Sequence, residues 1–333
     1  MKFGPVPLGQ ALGAILAHSQ TGAGGRLRKG RVLTAEDLAT LAGAGLAEVV
    51  VARLEPGDLA EDAAAARLAT GLVPDPSGQG LAISPAANGR VNLNAAGPGV
   101  VVLDGAALHA LNRVDPAITL ATLPAFCRVT KGTLVGTVKI ISYGVAAAAV
   151  EAAVKSARAA IRVQPVVLAD AGLLLTTVPG QDPKLNAKAE KVMAGRLGAL
   201  GMQLAACREV PHDEAAIAAA LTELPGAMVL ILTGSATSDL YDTAPQALRR
   251  AGGDVQRFGM PVDPGNLLFL GQLHSRPVIG LPGCARSPAL NGADWVLERL
   301  ACGLAVTDAE IAAMGVGGLL KEIPSRPQPR ESR

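Results

Sequence analysis

The apolar positions of the chain follow two different patterns, which meet near residue 163. Before that point, short runs rich in Val, Leu and Ile are separated by turns that contain Gly, Pro and Asn. After it, fully apolar runs alternate with longer segments in which apolar residues recur at helical spacing. Alternation of buried strands with helices is typical of a parallel sheet covered by helices on both faces. The pattern therefore predicts an α/β domain that follows a β-containing region of a different kind.

The second pattern predicts individual elements with recognisable caps and turns. The expected strands lie at residues 165–175, 203–207, 228–232, 267–270 and 278–279. The expected helices lie at residues 184–200, 214–224, 243–251 and 289–300. Ligands of such sheets bind beyond the carboxyl ends of the strands. The loops that follow the strands are therefore the place to look for chemistry.

The expected fold is a three-layer α/β domain with a parallel-centred sheet, preceded by a smaller β-containing α+β region. The α+β region is placed at residues 1–145, with its β-rich part at 84–145, and a linking helix at 146–162. The α/β domain is placed at residues 163–306 and a C-terminal tail at 307–333. In the first region, Thr34 before Glu36 predicts an N-capped helix, and Asn88-Gly89 predicts a tight turn.

Composition narrows the class of protein. Half of the residues are hydrophobic but only 2% are aromatic, so the core is expected to consist of Ala, Leu and Val. A formal net charge of +2 argues against nucleic acid or a membrane surface as partner. No long apolar run and no signal peptide are apparent in the sequence. The four cysteines are widely spaced, which predicts reduced thiols in the cytoplasm and no zinc site.

Four loops are expected to converge at the carboxyl edge of the sheet, at residues 176–186, 233–242, 259–266 and 280–287. In the second loop, small and hydroxylated residues from Thr233 to Ser238 follow a buried strand and precede a helix. A glycine-containing turn before a helix can hold an anion, because free N–H groups of the first helical turn point at it. An ordinary strand-to-helix turn with an Asp cap would give the same pattern.

The loops resemble the molybdopterin-binding domain of molybdenum cofactor synthesis proteins, which include molybdopterin adenylyltransferases and molybdopterin molybdotransferases. Thr233-Gly234-Ser235 stands where that family carries Thr-Gly-Gly, and Gly280-Leu281-Pro282-Gly283 matches its Gly-Leu-Pro-Gly. Gly259–Gly265 resembles its Met-x-Pro-Gly segment, and Val210-Pro211-His212-Asp213 resembles its Val-Pro-Asp-Asp. The resemblance covers residues 163–306 and is weaker at 27–50. The β domain that closes molybdotransferase chains has no counterpart in the sequence.

The resemblance implies a pterin ligand, either molybdopterin or the molybdenum cofactor, and a set of binding residues in the loops. These are Thr177, Lys184, Asn186, Thr233, Gly234, Ser235, Ala236, Thr237, Ser238, Pro264, Gly265, Pro282, Gly283 and Arg286. Asp242 and Asp239 are the implied catalytic residues and would hold Mg²⁺ near AMP or molybdate. From the residues alone, Asp242 is equally a helix cap, and Lys184 and Arg286 are alternatively surface charges.

Two classes of function remain open. The first is an enzyme of cofactor synthesis, similar to a molybdotransferase or adenylyltransferase and working with ATP or molybdate. The second is a non-catalytic carrier that hands the cofactor to a molybdoenzyme or to another synthesis protein. Retention of Asp242 favours the enzyme, whereas Thr176–Gly180 replaces the family's acidic Gly-Asp-Glu-Leu loop and favours the carrier. A nicotinamide dehydrogenase is disfavoured, since no G-x-G-x-x-G follows a strand. The resemblance also implies a homo-oligomer.

Overall fold

The computed structural model describes residues 1–22 and 24–320. Contacts within the chain divide it into two compact units. The first comprises Met1–Gly97 and Val101–Gln164, and the second comprises Pro98–Val100 and the chain from Pro165 onward. Each unit has apolar cores of its own, built largely from Ala, Leu, Val and Ile.

The chain up to residue 165 consists mainly of short strands with four helices between them. The strands are β1 (Lys2–Pro7), β2 (Ile15–Leu16), β3 (Gln20–Gly22), β4 (Gly25–Leu27), β5 (Glu48–Arg53), β6 (Asp58–Ala60), β7 (Leu81–Ile83), β8 (Arg90–Ala95), β9 (Gly99–Leu103), β10 (Ile118–Thr122), β11 (Arg128–Val129), β12 (Leu134–Ile140), β13 (Gly144–Ala146) and β14 (Ile161–Pro165). The helices are α1 (Ala35–Gly43), α2 (Glu61–Leu72), α3 (Gly105–Asn112) and α4 (Ala147–Ala157), with a 3₁₀ turn at Leu8–Gln10.

These strands form small sheets rather than one large one. Their orders are β1-β5-β2, β3-β4, β13-β6, β10-β12-β8-β7 and β11-β9-β14. Helix α2 packs on β8 and β12, and α4 packs on α2 and α3. The arrangement confirms the prediction of a β-containing α+β region ahead of the α/β domain.

Two local predictions for this region are also confirmed. Thr34 caps α1: its hydroxyl accepts the N–H of Asp37 at 3.2 Å, and the Asp37 carboxylate accepts the N–H of Thr34 at 3.0 Å. This reciprocal pair satisfies two N–H groups at the start of α1. At the tight turn, Asn88 has φ of 52° and Gly89 has φ of 69°. Both lie in the left-handed region that Asn and Gly tolerate best.

The chain after residue 165 alternates strands with helices. The strands are β15 (Asp170–Thr177), β16 (Gln203–Pro211), β17 (Val229–Leu232), β18 (Asp254–Phe258), β19 (Phe269–Leu273) and β20 (Arg276–Leu281). The helices are α5 (Lys184–Gly198), α6 (Glu214–Glu223), α7 (Thr243–Arg250), α8 (Gly292–Ala301) and α9 (Asp308–Ala313), with a 3₁₀ turn at Gly283–Arg286.

These strands form one six-stranded sheet in the order β16-β15-β17-β20-β19-β18. The first four strands are mutually parallel, and β19 and β18 add two antiparallel pairings at one edge. Alternate residues of β15 face opposite cores: Leu173 packs with residues of α5 and α8, and Leu174 packs with residues of α6 and α7. The predicted three-layer α/β domain with a parallel-centred sheet is therefore confirmed.

The directions of the connections create a crevice between β15 and β17. From β15 the chain turns to α5 on one face of the sheet, whereas from β17 it turns to α7 on the opposite face. The two loops therefore lead from neighbouring strands to opposite faces of the sheet. Such a switch point at the carboxyl ends of parallel strands is where ligands of open α/β sheets bind.

The structure corrects some boundaries that were predicted from sequence. The strand expected at 165–175 begins at Asp170, because Pro165 ends β14 and residues 166–169 form a connection. The helix expected at 289–300 begins at Gly292, where Asn291 accepts the N–H of Ala293 at 3.0 Å. Strand β18 was not expected at all. The part of the predicted C-terminal tail at residues 321–333 lies outside the described residues.

The single tryptophan of the chain, Trp295, lies on α8 and is partly buried against the core on the α5 side of the sheet. Within residues 1–22 and 24–320, none of the helices has the length and apolar character needed to cross a membrane.

Candidate functional site

The crevice between β15 and β17 is closed at its base by a threonine. Thr176 is fully buried, and its hydroxyl accepts the N–H of Gly234 at 2.8 Å. A Cβ atom at Gly234 would lie 2.5 Å from Gln181 Oε1 and 2.9 Å from the carbonyl oxygen of Thr176. Glycine is therefore required here because the chain's own 176–181 segment approaches it closely. The loop after β15 and the loop after β17 are thus held together at this point.

A chain of amide hydrogen bonds fixes the orientation of Asn186, which lies in the first turn of α5. The N–H of Val178 donates to Gln181 Oε1 at 3.3 Å, so the other end of the Gln181 amide must be its NH₂ group. That NH₂ donates to Asn186 Oδ1 at 3.1 Å. The remaining end of Asn186 is therefore a donor, Nδ2, and not an acceptor.

This Asn186 donor has no partner among the described residues, although Asn186 is only 2% exposed. A buried N–H group without an acceptor costs about 1–3 kcal/mol. Such an atom at the carboxyl edge of a parallel sheet is open to an acceptor, from a ligand or from a water molecule.

Arg286 provides a second donor of the same kind from the loop after β20. Its Nη2 donates to the carbonyl oxygen of Thr233 at 2.7 Å, which ties this loop to the end of β17. Its Nε is buried and has no partner among the described residues. Burial lowers the pKa of the Arg286 guanidinium, because the charged form loses hydration. An anion beside Arg286 would compensate for that loss.

The two predicted acidic residues serve the start of α7. The Asp242 carboxylate accepts the N–H of Thr243 at 2.6 Å through Oδ1 and the N–H of Ser238 at 2.8 Å through Oδ2. Burial raises the pKa of the Asp242 carboxyl, but these N–H groups and the nearby His212 lower it below its ordinary value. Asp239 is exposed, and its Oδ1 accepts the N–H of Tyr241 at 2.8 Å. Asp242 therefore acts as the N-cap of α7.

The polar atoms at this edge suit an anion better than a divalent cation. Mg²⁺ takes oxygen acceptors in a near-octahedral arrangement. Each Asp242 oxygen already accepts a backbone N–H, and the unpartnered buried atoms of Asn186 and Arg286 are donors. Across the described residues, no group of three or more His, Cys, Asp or Glu side chains is arranged to hold a metal.

His212 directly follows β16 and lies next to Thr176. Its backbone N–H donates to the carbonyl oxygen of Thr177 at 2.8 Å, which continues the ladder between β15 and β16. Its Nδ1 lies 3.0 Å from the Thr176 hydroxyl. Thr176 thus links the imidazole of His212 to the backbone of Gly234.

The third loop meets the fourth loop at the start of α8. The carbonyl oxygen of Pro264 accepts the N–H of Gly292 at 2.8 Å, and a Cβ atom at Gly265 would lie 2.9 Å from that nitrogen. Asn291, which caps α8, donates from Nδ2 to Cys284 Sγ at 3.0 Å. These contacts place Pro264 and Gly265 beside the start of α8, whereas Thr233 directly follows β17.

A buried arginine on α5 holds the fourth loop in place. Arg196 donates to Asp294 Oδ1 at 2.5 Å, and to the carbonyl oxygens of Ala285 at 2.9 Å, Ser287 at 2.8 Å and Ala289 at 3.0 Å. The two charged side chains are each 11% exposed. Arg196 therefore fixes the segment that carries Arg286.

The predicted binding residues differ in how they are placed. Asn186, Thr233, Gly234 and Arg286 are joined through the contacts described above. Ser235, Ala236, Ser238, Gly283 and Lys184 are exposed at the surface of their loops, whereas Thr237, Gly265 and Pro282 are buried and Thr177 and Pro264 are partly exposed.

Sequence reasoning omitted three residues from the site. The hydroxyl that contacts Gly234 belongs to Thr176 and not to Thr177. Successive residues of a strand face opposite sides of the sheet, and this rule could have distinguished the two threonines. His212 was noted only as a departure from the family pattern. Gln181 carries no sequence signal for its role, because its importance arises from its position beside Gly234.

Comparison with known proteins gives a family match inside the second unit. Residues 181–301 match a family model described as a probable molybdopterin binding domain. Residues 5–53 match a domain of unknown function, DUF8806. No curated protein matches the sequence. A solved structure of the molybdopterin biosynthesis MoeA protein from Pyrococcus horikosii is 13% identical and aligns over 91% of this chain and 75% of that chain, with a TM-score of 0.30. That score is too low to support an argument, so the assignment rests on the family match.

Proposed function

We propose that this chain, whose residues 181–301 belong to the probable molybdopterin binding domain family, binds molybdopterin or a product made from it during synthesis of the molybdenum cofactor. The ligand would enter the crevice between β15 and β17. The loops of residues 177–186 and 233–242 would line it, with Arg286 reaching in from the loop after β20.

The observation that carries the proposal is the pair of unpartnered buried donors, Asn186 Nδ2 and Arg286 Nε. A molybdopterin molecule offers a pterin ring with acceptor atoms and an anionic phosphate. Placing these acceptors against the two donors would remove two desolvation costs of about 1–3 kcal/mol each, in addition to forming the hydrogen bonds themselves. Ligand binding would therefore complete a hydrogen-bond set that the protein leaves open.

Substitution of Asn186 by Asp tests this directly. The variant keeps the shape of the side chain and the acceptor for Gln181, but replaces the free donor with an anionic oxygen. We expect retention of co-purified pterin, measured by mass spectrometry, to fall about tenfold or more, in line with a hydrogen bond to a charged or polar ligand group. Asn266→Asp is the matched control, because Asn266 is exposed and the change in charge is the same. Equal pterin content in Asn186→Asp and the parent would contradict the proposal.

A second candidate, the carrier, is favoured by the engagement of Asp242 with the backbone of α7. A carboxylate whose two oxygens each accept an N–H is placed to stabilise a helix start, which needs no chemistry on the ligand. In this form of the proposal the protein holds the cofactor and transfers it to a molybdoenzyme or to another synthesis protein.

The enzyme and the carrier are separated by a turnover assay with purified molybdopterin. An enzyme would convert it in the presence of ATP or of molybdate, as molybdotransferases and adenylyltransferases do. Tight pterin binding without conversion under either condition would favour the carrier. Conversion that survives unchanged in Asp242→Asn would show that Asp242 is not a catalytic residue.

A further inference from the structure

We infer that the second unit has a further ligand site, a cavity at the amino end of β20 that takes a neutral, largely apolar small molecule. The cavity has a volume of about 760 Å³ and lies between β18, β19 and β20 on one side and the end of α8 with the α8–α9 connection on the other. Volumes of about 300–1,000 Å³ are typical of small-molecule sites. Ser275 and Pro277 line it at the amino end of β20, whereas the crevice of the proposed function lies at the carboxyl ends of the strands. The inference therefore does not rest on the proposed function.

The way in which α8 ends creates one wall of the cavity. The N–H of Leu304 donates to the carbonyl oxygen of Arg299 at 3.0 Å, and the N–H of Gly303 donates to that of Leu300 at 2.9 Å. Gly303 has φ of 69°. This pair of bonds around a left-handed glycine is the Schellman motif, which terminates a helix. The helix therefore stops short, and the connection that leads to Thr307 forms the wall in its place.

The floor of the cavity is apolar. Leu270 of β19, Leu300 of α8, Leu168 and Val306 line it, and all four also belong to the core on the α5 side of the sheet or pack against that core. Leu168 and Leu300 remain partly exposed. A ligand with an apolar body would remove this surface from water, which is the main favourable term in binding of such molecules.

A β-bulge in the edge strand β18 brings two polar side chains to the same wall. Val255 lies opposite Gly271 and Arg257 lies opposite Leu270, so Gln256 is an extra residue in β18. Consecutive strand residues normally face opposite sides of a sheet, but Gln256 and Arg257 both line the cavity. Bulges redirect side chains in this way and are frequent beside functional sites. The bulge also interrupts the row of edge backbone groups that an added peptide strand would need, which favours a small molecule over a peptide.

The wall formed by β18 and β19 offers one open acceptor. Gln272 donates from Nε2 to the carbonyl oxygen of His274 at 2.7 Å, so the other end of its amide is the acceptor Oε1. This Oε1 lies 3.4 Å from Gln256 Nε2. The two amides thus fix one another's orientation, and Gln256 Oε1 accepts from no described residue.

Arg257 offers one open donor and determines the charge that the cavity accepts. It donates from Nε to the carbonyl oxygen of Gly259 at 2.8 Å and from Nη1 to that of Asp308 at 3.1 Å, but its Nη2 donates to none of the described residues. Arg257 and Asp308 also form an ion pair and are the charged residues of the lining. The lining therefore has no net charge, and a charged ligand would lie against the apolar floor without a counter-ion. A ring compound with an amide or lactam group matches both the open donor and the open acceptor.

Binding is tested with probes that share a naphthalene ring and differ in charge: naphthamide is neutral, naphthoate is anionic and naphthylmethylamine is cationic. Methyl NMR signals of Leu270 and Val306 in the intact chain report binding, and those of the exposed Val316 serve as reference. We expect naphthamide to shift the Leu270 and Val306 signals with a dissociation constant on the order of 1 mM or lower, and to bind about fivefold or more tightly than either charged probe. Absence of these shifts, or equal binding of all the probes, would overturn the inference.

Two substitutions change the charge of the lining in opposite directions. Arg257→Met leaves Asp308 as its charged residue, and Asp308→Asn leaves Arg257. We expect the cationic probe to bind about threefold more tightly to Arg257→Met than to the parent, and the anionic probe likewise to Asp308→Asn, because each then meets an opposite charge. Naphthamide should bind about fivefold more weakly to Arg257→Met, which lacks the Nη2 donor. Probe preferences that are the same in the parent and in both variants would contradict the assignment of the site.

Filling the cavity separates it from the crevice. Ala305 lines the cavity and is exposed, so Ala305→Trp places an indole there without enlarging a buried residue. Ala313→Trp is the matched control, because Ala313 is exposed on α9 and is not part of the lining. We expect naphthamide affinity to fall about tenfold or more in Ala305→Trp and to stay unchanged in Ala313→Trp, with the content of co-purified pterin unchanged in both.

The same variants distinguish failure of this inference from failure of the proposed function. Naphthamide binding that survives in Ala305→Trp, or a loss of pterin together with naphthamide binding, would overturn the inference of a separate site. Absence of pterin from the parent and from both variants, with naphthamide binding lost in Ala305→Trp alone, would contradict the proposed function and support the cavity as a site of its own.

Discussion

At the scale of the residue, side chains of similar shape have different surroundings at this edge of the sheet, and their neighbours decide which hydrogen bonds remain open. Asp242 carries a full charge but directs it into the start of α7, whereas Asn186 carries none and keeps an open donor. We therefore propose that recognition in the crevice depends on unmet hydrogen bonds more than on formal charge. This distinction predicts how each residue responds to substitution and to pH.

Asp242→Asn is expected to change stability little, by a few tenths of a kcal/mol, because Asn and Asp cap helices about equally well. The pKa of the Asp242 carboxyl is lowered in the folded protein. Its contribution is therefore present above the pKa of the unfolded chain and is lost as the pH falls through the lower, folded value. The free energy of unfolding of parent and variant, measured in urea between about pH 2 and 7, tests this expectation. That interval covers the pH range in which carboxyl groups titrate. A variant that becomes relatively more stable with rising pH would contradict it.

The two glycines of the Gly-Leu-Pro-Gly motif are expected to respond differently to alanine. A Cβ at Gly280 would lie 1.9 Å from the Phe269 ring, whereas a Cβ at Gly283 would meet nothing closer than Arg286 Nη1 at 3.6 Å. Gly280→Ala should therefore destabilise the domain by about 1–3 kcal/mol through overpacking, and Gly283→Ala by about 0.5 kcal/mol or less. Thermal unfolding of both variants measures the contrast. Equal losses would show that the Phe269 contact is not limiting.

Residue types in the site were partly predictable from the sequence. Asn186 and Arg286 were expected because of their places after strands, and the structure gives both an unpartnered donor. Gln181 was not expected, because a side chain that folds back on its own loop leaves no periodic signal. Thr176 was missed in favour of Thr177, because the strand end is known from sequence only to within a few residues.

At the scale of the element, a single arginine joins α5, α8 and the loop between β20 and α8. Arg196 satisfies the carbonyl oxygens of a loop that has no strand or helix partner for them, and pairs with Asp294 in the first turn of α8. Asp294 in turn accepts the N–H of Asn291 at 2.8 Å. The loop therefore depends on a side chain from a distant element.

Arg196→Met is expected to destabilise the second unit by about 3–5 kcal/mol, because it leaves Asp294 buried without its partner. Arg31→Met is the matched control in the first unit. Its guanidinium also pairs with a buried acid, Asp37, but is 51% exposed, and without it Asp37 still accepts the N–H and the hydroxyl of Thr34. We therefore expect a loss of about 1 kcal/mol or less there. Urea unfolding of both variants provides the values, and similar losses would contradict the role assigned to Arg196.

The elements of the second unit were largely predictable, because fully buried strands and capped helices leave strong patterns. Strand β18 was not, since its sequence Asp-Val-Gln-Arg-Phe has only two apolar residues and does not alternate strictly. As an edge strand it buries one face, and it follows a glycine pair that ends α7. Such a segment is indistinguishable from a loop until its partner β19 is known.

At the scale of the whole molecule, each unit buries its own apolar core. We therefore propose that the second unit unfolds independently and stays folded when a protease cuts the chain between the two units. The connection at residues 165–169 is exposed at several positions. Limited digestion with a protease of broad specificity is expected to release a stable fragment that begins near these residues. Mass spectrometry of the fragments identifies the cut. Digestion without a stable C-terminal fragment would contradict the proposal.

A homo-oligomer is proposed from the family resemblance, most simply a two-fold dimer. Light scattering at micromolar concentration measures the mass directly. A mass equal to the 33.5 kDa of one chain would contradict it.

The position of Trp295 gives the molecule a built-in optical reporter. It is the only indole in the chain, it is adjacent to Asp294, and it is packed against the core of the second unit. When the excitation wavelength is chosen so that tryptophan absorbs and tyrosine does not, the emission therefore originates from α8 alone. The first unit then contributes no fluorescence. A ligand titration that shifts this emission reports a change near the Arg196–Asp294 ion pair without any added label. Thermal unfolding followed by the same emission reports on the second unit alone.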